Sequence, residues 1–142
     1  MANSGFEAIH LTDIPEPDYK KQEDDPDWHA VRIHFGIRSF GANAYTAREA
    51  GGRLSEPHSE SEDSGTRHEE LFLVVTGHAT FTVDGEEVDA PAGTLVFVRD
   101  PDLVRSAVAR EAGTTLICFG GTPGEAFEVS PWERKYDRAA AP

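Results

Sequence analysis

Four side chains in one stretch, HSESEDSGTRHEE, have the types and spacing to do chemistry: His58, Glu60, His68 and Glu70. Imidazole nitrogen and carboxylate oxygen together suit a divalent ion such as Fe(II), Mn(II), Ni(II) or Zn(II), and two His with one or two carboxylates make a usual ligand set. The same groups also serve as the few polar anchors of a small-molecule pocket. The plainer reading puts His58 and Glu60 at the start of an acidic loop and His68 in solvent, two residues before a strand. His34 and His78 read as surface residues. No serine stands in a glycine-flanked elbow, and phosphate loops and dinucleotide fingerprints are absent. Cys118, inside the apolar run TTLICFGG, reads as a small buried hydrophobe rather than a nucleophile.

The elements that position these groups are strands. Residues two apart on a strand share a face, so His58 and Glu60 point the same way from SEPHSE. On the strand that follows, Glu70, Phe72, Val74 and Thr76 share one face and Leu71, Leu73 and Val75 the other. Both faces are apolar beyond the polar end, which suits a barrel wall with a pocket inside and a second sheet or a second subunit outside. Phe72, Val74, Phe81, Val83, Phe97 and Val104 are the expected lining, with His58 and Glu70 at one end. A barrel filled by its own side chains fits the same pattern.

Elsewhere, WHAVRIHFGI (28–37) alternates and predicts a strand, and SFGANAYTARE predicts another, relaxed by Gly41. FEAIHL is a possible short edge strand. Asp84-Gly85 marks a two-residue hairpin turn, Pro91 and Gly93 the next turn, and VRSAVA and TLICFGG the last strands. SPWERKYDRAA predicts a short helix: Ser130 caps it, Pro131 takes its first position, Glu133 completes a capping box, and Trp132 and Tyr136 share a face that docks on the barrel. Short strands at this spacing predict an all-β protein, a single antiparallel β-barrel or jelly roll with an N-terminal arm and a short C-terminal helix. The expected boundaries are 1–27 for the arm, 28–122 for the barrel and 123–142 for the helix and tail.

The stretch from Gly52 to Gly77 resembles the first motif of the cupin family. There, a glycine and five residues precede His-x-His, three or four residues lead to a Glu, and six more to a glycine. The chain has Gly52, five residues, His58, one residue, Glu60, then Glu70, six residues and Gly77. Glu60 stands at the second His, and nine residues separate it from Glu70. The second cupin motif has its counterpart in the segment from Gly93, where the fourth ligand position, a His in the family, falls on Val104 and the Asn position on Val108. The resemblance implies a cupin barrel of about residues 40 to 120, with a metal held by two His and a Glu when the motif is complete. It spans dioxygenases, sugar isomerases and epimerases, and binding modules.

At 142 residues the chain fits one domain. Its 26 acidic and 13 basic residues give a formal charge of −13, which argues against nucleic acid and anionic membranes as partners. Arg32, Arg38, Arg48 and Arg53 are scattered singly and read as solvated surface charge. One cysteine and no long apolar run fit a reducing, cytoplasmic setting, with no signal peptide and no spanning helix. The expected function is binding of a small organic ligand in the barrel of a homodimer, with no certain cofactor. The alternatives are a metal-dependent enzyme with a site rebuilt from His58, Glu60, His68 and Glu70, and a dimerisation domain with a filled interior.

Overall fold

The computed structural model describes residues 5–137. Among them, nine strands form two antiparallel sheets. The first has the order β1 (Asp27–His29), β2 (Gly41–Thr46), β9 (Thr115–Gly121), β4 (Glu69–Thr76) and β7 (Leu95–Val98). The second has the order β3 (Arg53–His58), β8 (Arg105–Ala109), β5 (His78–Val83) and β6 (Glu86–Pro91). The expected two-sheet antiparallel barrel is what the chain forms. No described helix is long and apolar enough to cross a membrane.

Leu54, Phe72, Val74, Phe81, Val98 and Leu116 pack between the sheets, with Ala79, Ala90, Ala107 and Ala109 where the backbones approach closely. The Phe72 and Phe81 rings meet edge to face at 5.3 Å. The phase of β4 follows the sequence pattern: Phe72 and Val74 are buried and Val75 is exposed. The turn at Asp84-Gly85 forms as expected, with both residues at positive φ (50° and 80°), the backbone that a two-residue hairpin favours. Gly77, the last glycine of the motif, has φ 79°, and a Cβ there would lie 2.7 Å from the Cα of Thr114. Only glycine fits at this corner.

Two expectations about local structure are corrected. The predicted strand 28–37 pairs only through His29, and the chain then turns into a short helix, α1 (Val31–Phe35). Gly36, in the left-handed conformation, ends α1 by donating its N–H to the carbonyl of Ile33. The helix turns Arg32 inward to meet Glu133 and Asp137, so Arg32 is buried rather than solvated. The second helix, α2 (Pro131–Arg134), starts with Pro131 as expected, but the Ser130 side chain makes no capping bond. Glu133 is turned into the protein instead, where it accepts from Arg32 and, at 2.8 Å, from Asn43 Nδ2. Trp132 and Tyr136 both pack on Trp28, at 5.3 and 5.5 Å between ring centroids.

The segment FEAIHL forms no strand. Ion pairs hold the arm to the barrel: Lys21 and Arg48 both reach Asp27 at 2.6 Å, and Arg53 pairs with Asp25. Arg48 and Arg53 are therefore part of the docking of the arm.

Candidate functional site

The barrel is packed at the core described above but keeps a cavity of about 500 Å³. Part of its wall is polar, formed by His58, Glu60, His68 and Glu70, and part is aromatic, formed by Trp28, Tyr45, Phe127 and Tyr136 among others. Strand positions bring the polar groups together. His58 ends β3, opposite Arg105 on β8, and Glu70 near the start of β4 lies opposite Gly120 on β9. A Cβ added at 120 would lie 3.2 Å from the Glu69 carbonyl oxygen, a tight approach, and in ordinary contact with carbons of Glu70 and His68 at 3.5 and 3.7 Å.

The long acidic loop between Glu60 and Glu70 is folded by its own hydrogen bonds. The Ser59 N–H donates to Asp63 at 2.6 Å, the Glu60 N–H to the carbonyl of Pro101 at 2.9 Å, and the Arg67 N–H to the carbonyl of Glu60 at 2.8 Å. Glu60 is thereby buried at the cavity wall, and Ser64 Oγ donates to its carboxylate at 3.0 Å. His58 places Nε2 3.0 Å from Glu60 and 3.8 Å from Glu70, while Nδ1 lies 2.8 Å from the carbonyl of Glu56. Both ring nitrogens face acceptors, so the ring holds two protons. Burial alone would lower its pKa, but the hydrogen bond to Glu60 and the charge of Glu70 push it up to about 10. Burial raises the pKa of Glu60, and His58 more than reverses this, holding the carboxyl below its ordinary value.

His68 is buried, not in solvent, and its ring stacks on Phe127 at 5.2 Å. Its Nδ1 is 3.8 Å from Glu60, and its Nε2 has no hydrogen-bond partner among the described residues. The donor atoms of His58, Glu60 and Glu70 lie within 4.8 Å of one another, and His68 is outside that group.

The expected apolar lining is corrected in part. Phe72 does line the cavity, whereas Val74 and Phe81 belong to the closed core. Phe97 and Val104 face outward, 45% and 49% exposed. On β7 the inward phase is Val96 and Val98, which pair with Phe72 and Glu70, so Phe97 falls on the outer face under the Arg99 guanidinium. On β8 the inward phase is Arg105, Ala107 and Ala109, all buried, which turns Val104 and Val108 outward. The residue that faces His58 is therefore Arg105, one position beyond the one reached by counting motif spacing. An arginine in phase with two alanines in VRSAVA is the signal that could have found it. Arg105 is fully buried and donates Nη1 to Glu70 Oε1 at 2.7 Å, Nε to the carbonyl of Leu103 at 3.0 Å and Nη2 to that of Asp100 at 3.2 Å.

These contacts bear on whether the cluster suits the metal that the sequence motif implies. Spacings of 3.0 and 3.8 Å between donors are compatible with one ion, but a carboxylate oxygen of that set is already bound to a guanidinium. Unit charges of like sign about 4 Å apart repel by roughly 4 kcal/mol at the effective dielectric of a protein, and a divalent ion doubles that. A metal would also have to displace the His58 proton. With Arg105 in place, two carboxylates already face two protein cations, which weighs against a resident divalent ion.

Cys118 also borders the cavity, and burial pushes its thiol pKa well above the ordinary value, against a role as nucleophile.

No family model and no curated protein matches the chain by sequence. Solved structures match by shape. A double-stranded β-helix protein from Klebsiella pneumoniae aligns at TM-score 0.61 and 15% identity, over 84% of this chain and 91% of that one. A sugar phosphate isomerase of the cupin superfamily from Silicibacter pomeroyi aligns at TM-score 0.61 and 17% identity, over 82% and 77%. KdgF from Halomonas sp. aligns at TM-score 0.51 and 20% identity, over 62% and 74%. Two antiparallel sheets in this strand order, enclosing a cavity at the motif residues and superposing on these proteins, show that the chain has the double-stranded β-helix fold of the cupins.

Proposed function

We propose that the chain binds a small, uncharged, hydroxyl-bearing organic molecule in its barrel, with no resident metal. The observation that carries this reading is the charge balance around His58 at the wall of the 500 Å³ cavity. Glu60 and Glu70 are matched by the His58 imidazolium and by Arg105, so the cluster offers polar anchors without a free charge of either sign. Ligand hydroxyls donate to carboxylate lone pairs, and the aromatic wall receives the apolar face of a ring. A phosphate group would need unpaired cations and would enter against a net charge of −13. The fold likeness to a protein named as a sugar phosphate isomerase makes sugars the first probes.

The test is a thermal-shift and calorimetric screen of uncharged monosaccharides and polyols beside their phosphorylated counterparts. An uncharged ligand at 100 times its Kd stabilises by about 2.7 kcal/mol, which for a chain of this size is a Tm rise of several degrees. His58→Ala is expected to abolish that rise. Stabilisation by the phosphorylated members alone would refute the reading.

A second reading is a metal-dependent enzyme of dioxygenase or isomerase type. It is favoured by the convergence of His58, Glu60 and Glu70 donors within 4.8 Å. Stoichiometric metal in protein purified without an affinity tag would select it over the first. The filled-barrel reading is disfavoured by the cavity.

A further inference from the structure

We infer that Arg105 is the built-in counter-cation of the His58–Glu60–Glu70 cluster, and that exchanging it for a ligating side chain converts this cavity into a divalent-metal site. The inference rests on the metal-free reading above and deepens it by naming the residue that keeps metal out.

Its position is the first argument. Arg105 and His58 are direct partners across the β3–β8 pair, so their side chains leave the sheet on the same face. It is the inward strand position that faces the cluster from β8. The second argument is that its charge is committed. The side chain has no exposure, and among the described residues its carboxylate partner is Glu70. Its other two bonds go to the carbonyls of Leu103 and Asp100, which hold the guanidinium in one place. The third argument is chemical. A metal can displace the proton of an imidazolium, but a guanidinium keeps its charge at every accessible pH. As long as Arg105 stands there, Glu70 is bound to a permanent cation. A histidine at 105 would release Glu70 and place a second imidazole opposite His58, completing two imidazoles and two carboxylates.

A purely structural role, in which Arg105 only pins the 100–103 loop, predicts none of this, and metal titration separates the two. The untagged 142-residue chain is titrated calorimetrically with Zn(II), Ni(II) and Mn(II) chlorides, as wild type, His58→Ala, Arg105→Lys, Arg105→His and the double variant Arg105→His/His58→Ala. Wild type and Arg105→Lys are expected to show no one-to-one binding. Arg105→His is expected to take one ion with affinity raised by about 10- to 100-fold, and the added His58→Ala to remove it. Two results overturn the inference: one ion bound by wild type in a His58-dependent manner, or a folded Arg105→His no tighter than wild type. If Arg105→His does not fold, urea unfolding of Glu70→Gln, Arg105→Gln and their double variant decides instead. A double variant more stable than either single supports the counter-cation role, and additive losses overturn it. A folded Arg105→His that takes no metal sinks this inference alone, since the sugar screen uses no metal. Metal in the wild type would sink both readings.

Discussion

His58 is held as a cation because each of its ring nitrogens faces an acceptor, the Glu56 carbonyl on one side and the Glu60 carboxylate on the other. Its pKa in the folded chain, about 10, lies above the ordinary 6.5. Its contribution to stability is therefore complete below about pH 6.5 and is lost as pH rises toward 10. Glu60 has the opposite sign: with a folded pKa below 4.5, it contributes above that pH and loses its contribution as pH falls through the folded value. The pair stabilises most between these limits. Urea unfolding of the wild type should show stability falling from pH 6.5 to 10, and His58→Gln should flatten that limb. An unchanged slope in the variant would show that the proton is not held at His58. The motif spacing led to His58 and Glu70 at the cavity because both lie on strands, a local feature, whereas Glu60 lies past the end of β3 and reaches the cavity wall through the hydrogen bonds of its loop. Arg105 was missed because motif counting stops at Val104, whereas the phase of the strand decides which side chain turns inward. The burial of His68 depends on Phe127, nearly sixty residues away by sequence number, which no local window contains.

At the scale of elements, the four-residue α2 is far too short to be stable alone, so tertiary contacts must hold it. Arg32 supplies them. It reaches Glu133 and Asp137 across more than a hundred residues, with all three side chains nearly out of solvent. This long-range ion pair also explains two failures of local reading. Alternation in WHAVRIHFGI suggested a strand, but the turn of α1 is what aims Arg32 at its partners; Ser130 and Glu133 suggested a capping box, but Glu133 serves Arg32 and Asn43 instead. Removing one member of a buried pair leaves uncompensated charge and typically costs about 3–5 kcal/mol. Arg32→Met should lose stability of that order in chemical denaturation, and proteases should cut the segment 123–137 while the strands stay intact. A variant as stable as the wild type, with the segment still protected, would mean that the Trp28, Trp132 and Tyr136 contacts hold it without the ion pair. The hairpins were read correctly because Asp84-Gly85 and the strand alternation are local. Charges that meet only in the folded chain left no such mark.

For the whole molecule, the outer face of the first sheet stands out against a net charge of −13. Leu71 lies opposite Phe97 and Leu73 opposite Leu95 across β4 and β7, so their outward side chains form one patch rather than scattered sites. Val75 continues it along β4, and Leu95 is 62% exposed. Leu71 and Leu73 are half-exposed, and Thr122 and Pro123 border the same surface beside Leu71 and Phe97. A contiguous apolar patch of this kind is characteristic of an interface, and we propose that a second copy of the chain covers it, with β4 and β7 of each protomer facing the other. Such an association must overcome repulsion between two acidic molecules, which an interface core poor in charge can do where a polar one could not. Sedimentation at micromolar concentration should therefore give a two-chain mass, little weakened by salt because screening reduces the repulsion. Leu95→Glu with Phe97→Glu places four carboxylates in the dimer interface and should yield a monomer with an unchanged circular dichroism spectrum, since neither side chain contributes to the core. A wild type that sediments as a monomer at those concentrations would refute the assignment of this face.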